Sequence, residues 1–272
     1  SSDVCSSDLG PCFFMEWHPA DTWDRMADFL RSIPGSLPEK PQAIVLVTAH
    51  WQEQQPSMSS AAQPGMIYDY RGFPAHTYEL KYPAPGAPEL AGQVSVLLEQ
   101  ASFAPVQNPD RGYDHGTFIP LKVAFPDADI PVVQLSLNAD LNAHEHFALG
   151  RKLAALREQG ILIVGSGNIV HNLRLMDWRH PDSVEGAYDW AQTARKLVNH
   201  WLQSGNNAAL TNDNAYPEEL RLAAPTPEHW WPLLYVIGAK SDDETLTLLT
   251  DVIVGKSLSM TSVLVGDERL AA

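Results

Sequence analysis

The chain has 272 residues, of which 44% are hydrophobic, and a formal net charge of −15. That is enough apolar material for one large core, and no Gly/Ser linker or charge block divides it. Acidic residues are scattered and no Lys/Arg cluster is present, which argues against nucleic acid and anionic membrane as partners; no apolar run approaches the ~18 residues of a spanning helix, and no basic-then-apolar leader precedes the first element.

These features predict a soluble, cytoplasmic protein. Cys5 and Cys12 have neither the number for a disulfide framework nor the spacing of a CxxC motif, and read as inert thiols.

In chain order, Asp21 is expected to cap a helix over Thr22 to Ile33, whose residues Trp23, Met26, Ala27, Phe29 and Leu30 form a helical stripe ended by Pro34-Gly35. Ala43 to Ala49 (AIVLVTA) is a short, β-branched apolar run of the kind that forms a buried parallel strand, and His50 follows it directly. The Pro/Gly/Tyr-rich stretch from Pro56 to Pro88 predicts a long irregular segment, and loops of that length in a compact domain usually wall a site. A helix is expected over Pro88 to Glu99, and a loop carrying Asp114-His115-Gly116 before a short helix at Pro120 to Ala124.

Ile130 to Leu137 predicts a third strand, Ala143 to Gln159 an amphipathic helix closed by Gly160, and Ile161 to Gly165 a fourth strand. Tyr188 to Gln203 has Trp190, Ala194, Leu197 and Trp201 at helical spacing. Thr226-Pro227 is an N-cap and first-turn signature that sets His229 in the first turn of a helix, with Leu233 to Ile237 facing the core. The tail Ser257 to Val265 alternates and predicts an edge or near-edge strand. Strands and helices alternate through most of the chain, which predicts an α/β fold with helices covering a mixed, largely parallel sheet.

Four of the ten histidines sit where a backbone element ends: His50 in TAHW, His115 in YDHG, His171 in GNIVHN and His229 in TPEHWWP. Carboxyl ends of parallel strands are where open α/β sheets place ligands, and imidazole is the commonest protein ligand for first-row metals. The four together therefore read as a metal site gathered from distant segments, although any one of them alone is more often a partly buried aromatic than a ligand. His18, His76, His144, His146, His180 and His200 lack that placement and are expected on the surface or on helix faces. His144 and His146, two apart, would point in different directions from a helix and make a poor chelate.

The motifs TAHW, YPAPGAPELA, YDHG, GNIVHN and TPEHWWPLLYV jointly resemble the class III (LigB-type) extradiol ring-cleavage dioxygenases, in the branch with the DOPA 4,5-dioxygenases, from Gly10 to Gly266. The resemblance implies a three-layer α/β/α sandwich and a mononuclear metal surrounded by His50, His171 and His229, with His115 beside it as proton donor or acceptor. It also implies a catechol-type substrate, O₂ as cosubstrate, and Fe(II) as the expected metal, with Zn²⁺ as the other ion such a ligand set accepts. Glu228 is a second candidate donor next to His229, and His171 is the runner-up for the proton-transfer role. Outside that reading, the same cluster fits a zinc-dependent hydrolase, or a non-enzymatic binding relative; oligomeric state is not legible.

One departure stands out. The family opens with a strand and a His-Gly-Gly-Gly-Pro-like turn whose histidine is a further ligand, whereas this chain has Ser1 to Leu9 (SSDVCSSDL), with Ser7 near that position. Residues 1–9 are therefore expected to be an unrelated, loosely packed segment in front of a single domain over 10–272, with Asp3 or Asp8 as substitute oxygen ligands.

Overall fold

The computed structural model describes residues 3–6, 10–18 and 20–266, excluding the side chains of residues 5 and 6. Ten strands run in chain order: β1 Asp3–Ser6, β2 Ala43–Glu53, β3 Ser57–Ser59, β4 Val106–Asn108, β5 Val132–Asn138, β6 Ile161–Ser166, β7 Thr245–Leu249, β8 Ile253–Val254, β9 Leu258–Ser259 and β10 Ser262–Gly266. All but β8 and β9 form one sheet in the order β4-β3-β5-β2-β6-β1-β10-β7. The β2–β5, β2–β6, β1–β6 and β3–β4 pairs are parallel, while β3–β5, β1–β10 and β10–β7 are antiparallel. The expected mixed, largely parallel sheet is thus present, with β10 one strand in from the edge.

The eight α-helices among the described residues are α1 Asp24–Ser36, α2 Pro88–Gln100, α3 His115–Ala124, α4 Ala143–Arg157, α5 Asp189–Gln203, α6 Asn207–Leu210, α7 Glu218–Ala223 and α8 Trp231–Ala239. Strand pleating divides them into two outer layers. In β2, Val45 and Val47 point to one face with Ile163, Val133 and Leu135, and pack there under α2, α4, α5 and α8. Ile44 and Leu46 point to the other face with Leu162 and Val164, and are covered by Met26, Phe29 and Leu30 of α1 and Phe118 and Ile119 of α3. A strand buried on both faces must be apolar throughout, which is why AIVLVTA reads as an unbroken run.

Several boundaries differ from the sequence expectation. The short helix expected from Pro120 begins at His115, because the buried Asp114 side chain accepts from the Thr117 backbone N–H and caps the helix one turn earlier. α1 continues through Pro34 and Gly35 to Ser36, and its N-cap position is Trp23, not Asp21. His146, expected on a helix face, is fully buried between Trp231 and Tyr235, with Nδ1 3.1 Å from the Tyr235 hydroxyl.

The largest difference is at the start of the chain. Asp3–Ser6 is not loose: it is a strand inside the sheet, parallel to β6 and antiparallel to β10. Val4 is buried in the core, and the buried Asp3 carboxylate meets Arg157 Nε at 2.7 Å and accepts from the Ile163 backbone N–H at 3.1 Å. Arg157 also binds Glu244, so the polarity that argued against a core strand is absorbed by a three-membered ion cluster. No described helix is long and apolar enough to cross a membrane.

Candidate metal centre

Parallel β2, β6 and β1 all end at the same edge of the sheet, and the site is built there. His50 lies in the last part of β2, at the point where the β2–β5 register shifts between Val47 and Gln52. β6 ends at Ser166, and the turn that follows runs against the short 3₁₀ turn Pro227–His229, its Asn168 N–H donating to the His229 carbonyl at 2.7 Å. His171 is fixed by its backbone N–H to the Ala223 carbonyl at 2.8 Å and by an isolated bridge to Leu258.

These elements bring the four predicted histidines into one continuous cluster. His171 stacks on His229 with ring centroids 3.5 Å apart and planes 10° apart. His229 meets His50 edge-on at 5.1 Å, and His50 meets His115 at 3.9 Å. His115 and His229 are buried, His50 and His171 half-buried, so the cluster reaches from the interior to the surface at the strand ends.

A fifth residue, which the sequence reading passed over, lies among them. Asp69 accepts from the His115 backbone N–H at 3.0 Å, and its Oδ1 is 2.7 Å from His115 Nδ1, while its Oδ2 stands 3.7 Å from His50 Nδ1. Donor atoms of His50, Asp69 and His115 all lie within 4.8 Å of one another, the one group of three or more possible metal donors that does so among the described residues. Partial burial pushes the Asp69 carboxyl up, but the His115 hydrogen bonds and the nearby His50 outweigh it and hold it below the usual carboxylate range.

Behind His115, Asp114 anchors the segment from inside. Its carboxylate accepts from Thr48 Oγ1 at 3.0 Å, Arg111 Nη2 at 2.7 Å, Gln134 Nε2 at 2.8 Å and the Thr117 N–H at 3.1 Å. Burial raises its pKa, with His50 and Arg111 pulling the other way. Since Thr48 is two residues before His50 and Gln134 is on β5, this one carboxylate ties the position of His115 to that of β2 and β5. In front, Tyr70 stands edge-on to His115 at 5.7 Å and continues into Phe73, Tyr78 and Tyr68, an aromatic wall drawn from the Pro56–Pro88 segment.

The family model described as the catalytic LigB subunit of aromatic ring-opening dioxygenase matches residues 10–266. The chain belongs to that family. It is 43% identical over 230 residues to a "4,5-DOPA dioxygenase extradiol" of Escherichia coli K12, covering 84% of this chain and 83% of that protein. A protein of the same name from Beta vulgaris is 37% identical over 212 residues, 78% of each chain. The crystal structure of the uncharacterized protein JW3007 from Escherichia coli K12 superposes with a TM-score of 0.79 at 35% identity, covering 97% of this chain and 99% of that one. The chain is accordingly an extradiol ring-cleaving dioxygenase of the LigB type.

The other histidines stay apart from the cluster: His76 contacts the Phe14 carbonyl, His180 pairs with Asp177, and His18, His144 and His200 are exposed. Asp3 faces Arg157 three residues before the end of β1, so it is not the substitute oxygen ligand that the sequence allowed. Ser7 and Asp8 lie outside the described residues. Glu228 is held by the Thr226 hydroxyl at 2.7 Å on the surface of the 3₁₀ turn. For Asp69 the sequence did carry one signal: it is the lone carboxylate between Pro56 and Tyr78.

Proposed function

We propose that the chain cleaves a catechol-type aromatic at a single non-haem divalent ion held by His50, His171 and His229, with His115 handling the proton. The observation that carries the proposal is the convergence of these four rings at one edge of a LigB-type sheet. Imidazole donors with a carboxylate close by suit Fe(II) and Zn²⁺ alike. When bound, Fe(II) supplies the redox centre that ring opening with O₂ requires, which Zn²⁺ does not.

By ring contact His229 sits between His50 and His171, and these three are the proposed donor set, although the donor atoms that lie within 4.8 Å of one another are those of His50, Asp69 and His115. Asp69 belongs to the tight donor group by distance, but two hydrogen bonds from His115 already engage one of its oxygens, and that orients the carboxylate toward the imidazole. Buried His115 is then the group that accepts the catechol proton and returns it as the ring opens, a task suited to imidazole near neutral pH. The aromatic wall of Tyr70, Tyr68 and Tyr78 offers a flat substrate an apolar face next to that imidazole. DOPA, which gives the two relatives their names, is the first catechol to try.

The family's further histidine would follow the first strand, where this chain has Ser7. Ser6 pairs with Ser166, so β1 ends at the edge of the sheet where the cluster lies. On that alignment the donor set would be one short, which would weaken metal affinity.

The test is aerobic incubation of the purified chain with DOPA and other catechols after loading with Fe(II) or Zn²⁺. A yellow ring-opened product is expected with Fe(II) only. Ester or amide hydrolysis with Zn²⁺ and no catechol cleavage with either metal would overturn the proposal. Ser7→His should raise Fe(II) affinity and turnover together; no change in either removes the missing-donor part.

A further inference from the structure

We propose that Asp69 is a positioning residue that fixes the working nitrogen of two histidines at once, setting His115 to present Nε2 to the substrate and His50 to present Nε2 to the metal. The inference rests on the roles proposed above for those two residues. Its geometric basis is independent of them.

Asp69 reaches both rings on the same side. Its Oδ1 is at 2.7 Å from His115 Nδ1, and its Oδ2 at 3.7 Å from His50 Nδ1. A carboxylate only accepts hydrogen bonds, so a neutral His115 at that distance carries its proton on Nδ1 and its lone pair on Nε2. Nε2 is therefore the atom able to take a proton from a catechol hydroxyl. For His50, Oδ2 at 3.7 Å is beyond hydrogen-bond reach, and its negative charge favours the Nδ1–H form through space, which puts the lone pair on Nε2.

The backbone adds a second constraint. The oxygen that faces His115 Nδ1 also accepts from the His115 backbone N–H, at 3.0 Å. His115 is the first residue of α3, where backbone N–H groups have no partner within the helix, so Asp69 satisfies the helix start and aims the side chain through a single atom. Pro74 and the 3₁₀ turn Ala75–Glu79 close the segment that carries Asp69, and the Tyr70 hydroxyl is bound to the Thr77 carbonyl, so Asp69 is delivered by a braced loop.

The reading separates Asp69→Asn from Asp69→Ala. Asparagine keeps a carbonyl oxygen that can accept from both N–H groups of His115; alanine keeps neither contact. The expected result is a kcat lowered ~10–100-fold in Asp69→Ala with KM for the catechol changed less than threefold, and substantial recovery of kcat in Asp69→Asn, in line with losses seen when a residue orienting a site histidine is removed. The readout that does not depend on activity is ¹⁵N NMR of ¹⁵N-histidine-labelled, zinc-loaded protein. The His115 ring should show the Nδ1–H tautomer in the wild type and in Asp69→Asn, and lose it in Asp69→Ala.

Other outcomes overturn the proposal. Loss of zinc from Asp69→Asn as complete as from His50→Ala would make Asp69 a ligand, since an amide is a poor substitute for a coordinating carboxylate. Equal kcat in Asp69→Asn and Asp69→Ala, with an unchanged His115 tautomer, would leave it only a structural brace. If the wild type cleaves no catechol, the proposed function fails, while the tautomer measurement still decides the role of Asp69.

Discussion

One methyl group at Gly167 should uncouple the proposed metal centre from the fold that carries it. Gly167 lies in the turn after β6, and a Cβ built there stands 2.3 Å from the His229 carbonyl oxygen and 3.1 Å from its carbon. Both are backbone atoms, and neither can rotate away. That carbonyl also accepts from the Asn168 N–H at 2.7 Å, so relieving the clash means opening the contact that seats His229 beside the strand ends. Overpacking of this kind costs ~1–3 kcal/mol, and lowers the Tm of a chain this size by roughly 2–10 °C.

The damage should be larger at the site than in the fold, because His229 moves relative to His50 and His171. Gly167→Ala is expected to weaken zinc or Fe(II) affinity at least ~10-fold, the loss usual for disturbed ligand support, as read by competition with a chelator. Gly92→Ala is the control. Gly92 sits inside α2 with nothing within 4 Å of its added methyl, so the substitution should raise stability by ~0.5–1 kcal/mol and leave the metal site alone. Metal affinity and Tm in Gly167→Ala both indistinguishable from wild type would refute the close backbone approach on which the reasoning rests.

Three further outcomes are expected. His115→Ala should retain metal while losing turnover by ~10²–10⁴-fold; parallel loss of metal, measured by elemental analysis, would make His115 a ligand. Arg157→Met strands Asp3 and Glu244 without their cation, and equilibrium unfolding should report a loss of ~3–5 kcal/mol, whereas a near-neutral result would mean that β1 does not depend on the ion cluster. Burial pushes the His146 imidazole down from 6.5 to about 3. The unfolded chain therefore binds a proton that the folded one does not between those values, so stability is fully present above pH 6.5 and falls progressively toward pH 3, by at most roughly 5 kcal/mol from this group. Urea titrations across that range should show a shallower acid loss in His146→Gln, and equal pH slopes in the two proteins would contradict the assignment.

Local pattern decided much of this protein. The runs AIVLVTA and ILIVG had to be strands buried on both faces, because an unbroken β-branched stretch of that length has no polar side to show to water. Once those strands were parallel, His50 and the turn before His171 had to emerge at the same edge, and Thr226-Pro227 started the turn that carries His229. The candidate ligands were legible because each lies near the end of an element whose pattern is visible in the sequence.

What tertiary structure alone decided are the contacts between side chains far apart in the chain. Asp69, 46 positions before His115, sits in a stretch with no periodicity, so nothing local ties it to an imidazole. The start of α3 at His115 likewise depends on a buried Asp114 held by Thr48, Arg111 and Gln134, where Pro120 had suggested a later start. The same holds for Asp3–Ser6: polar, short and unpromising as a core strand, it is accommodated because Arg157 and Glu244 lie 154 and 241 positions away in sequence but next to it in space. Hydrophobic periodicity is a property of neighbours along the chain, whereas charge compensation belongs to neighbours in space, and only the folded structure supplies the second.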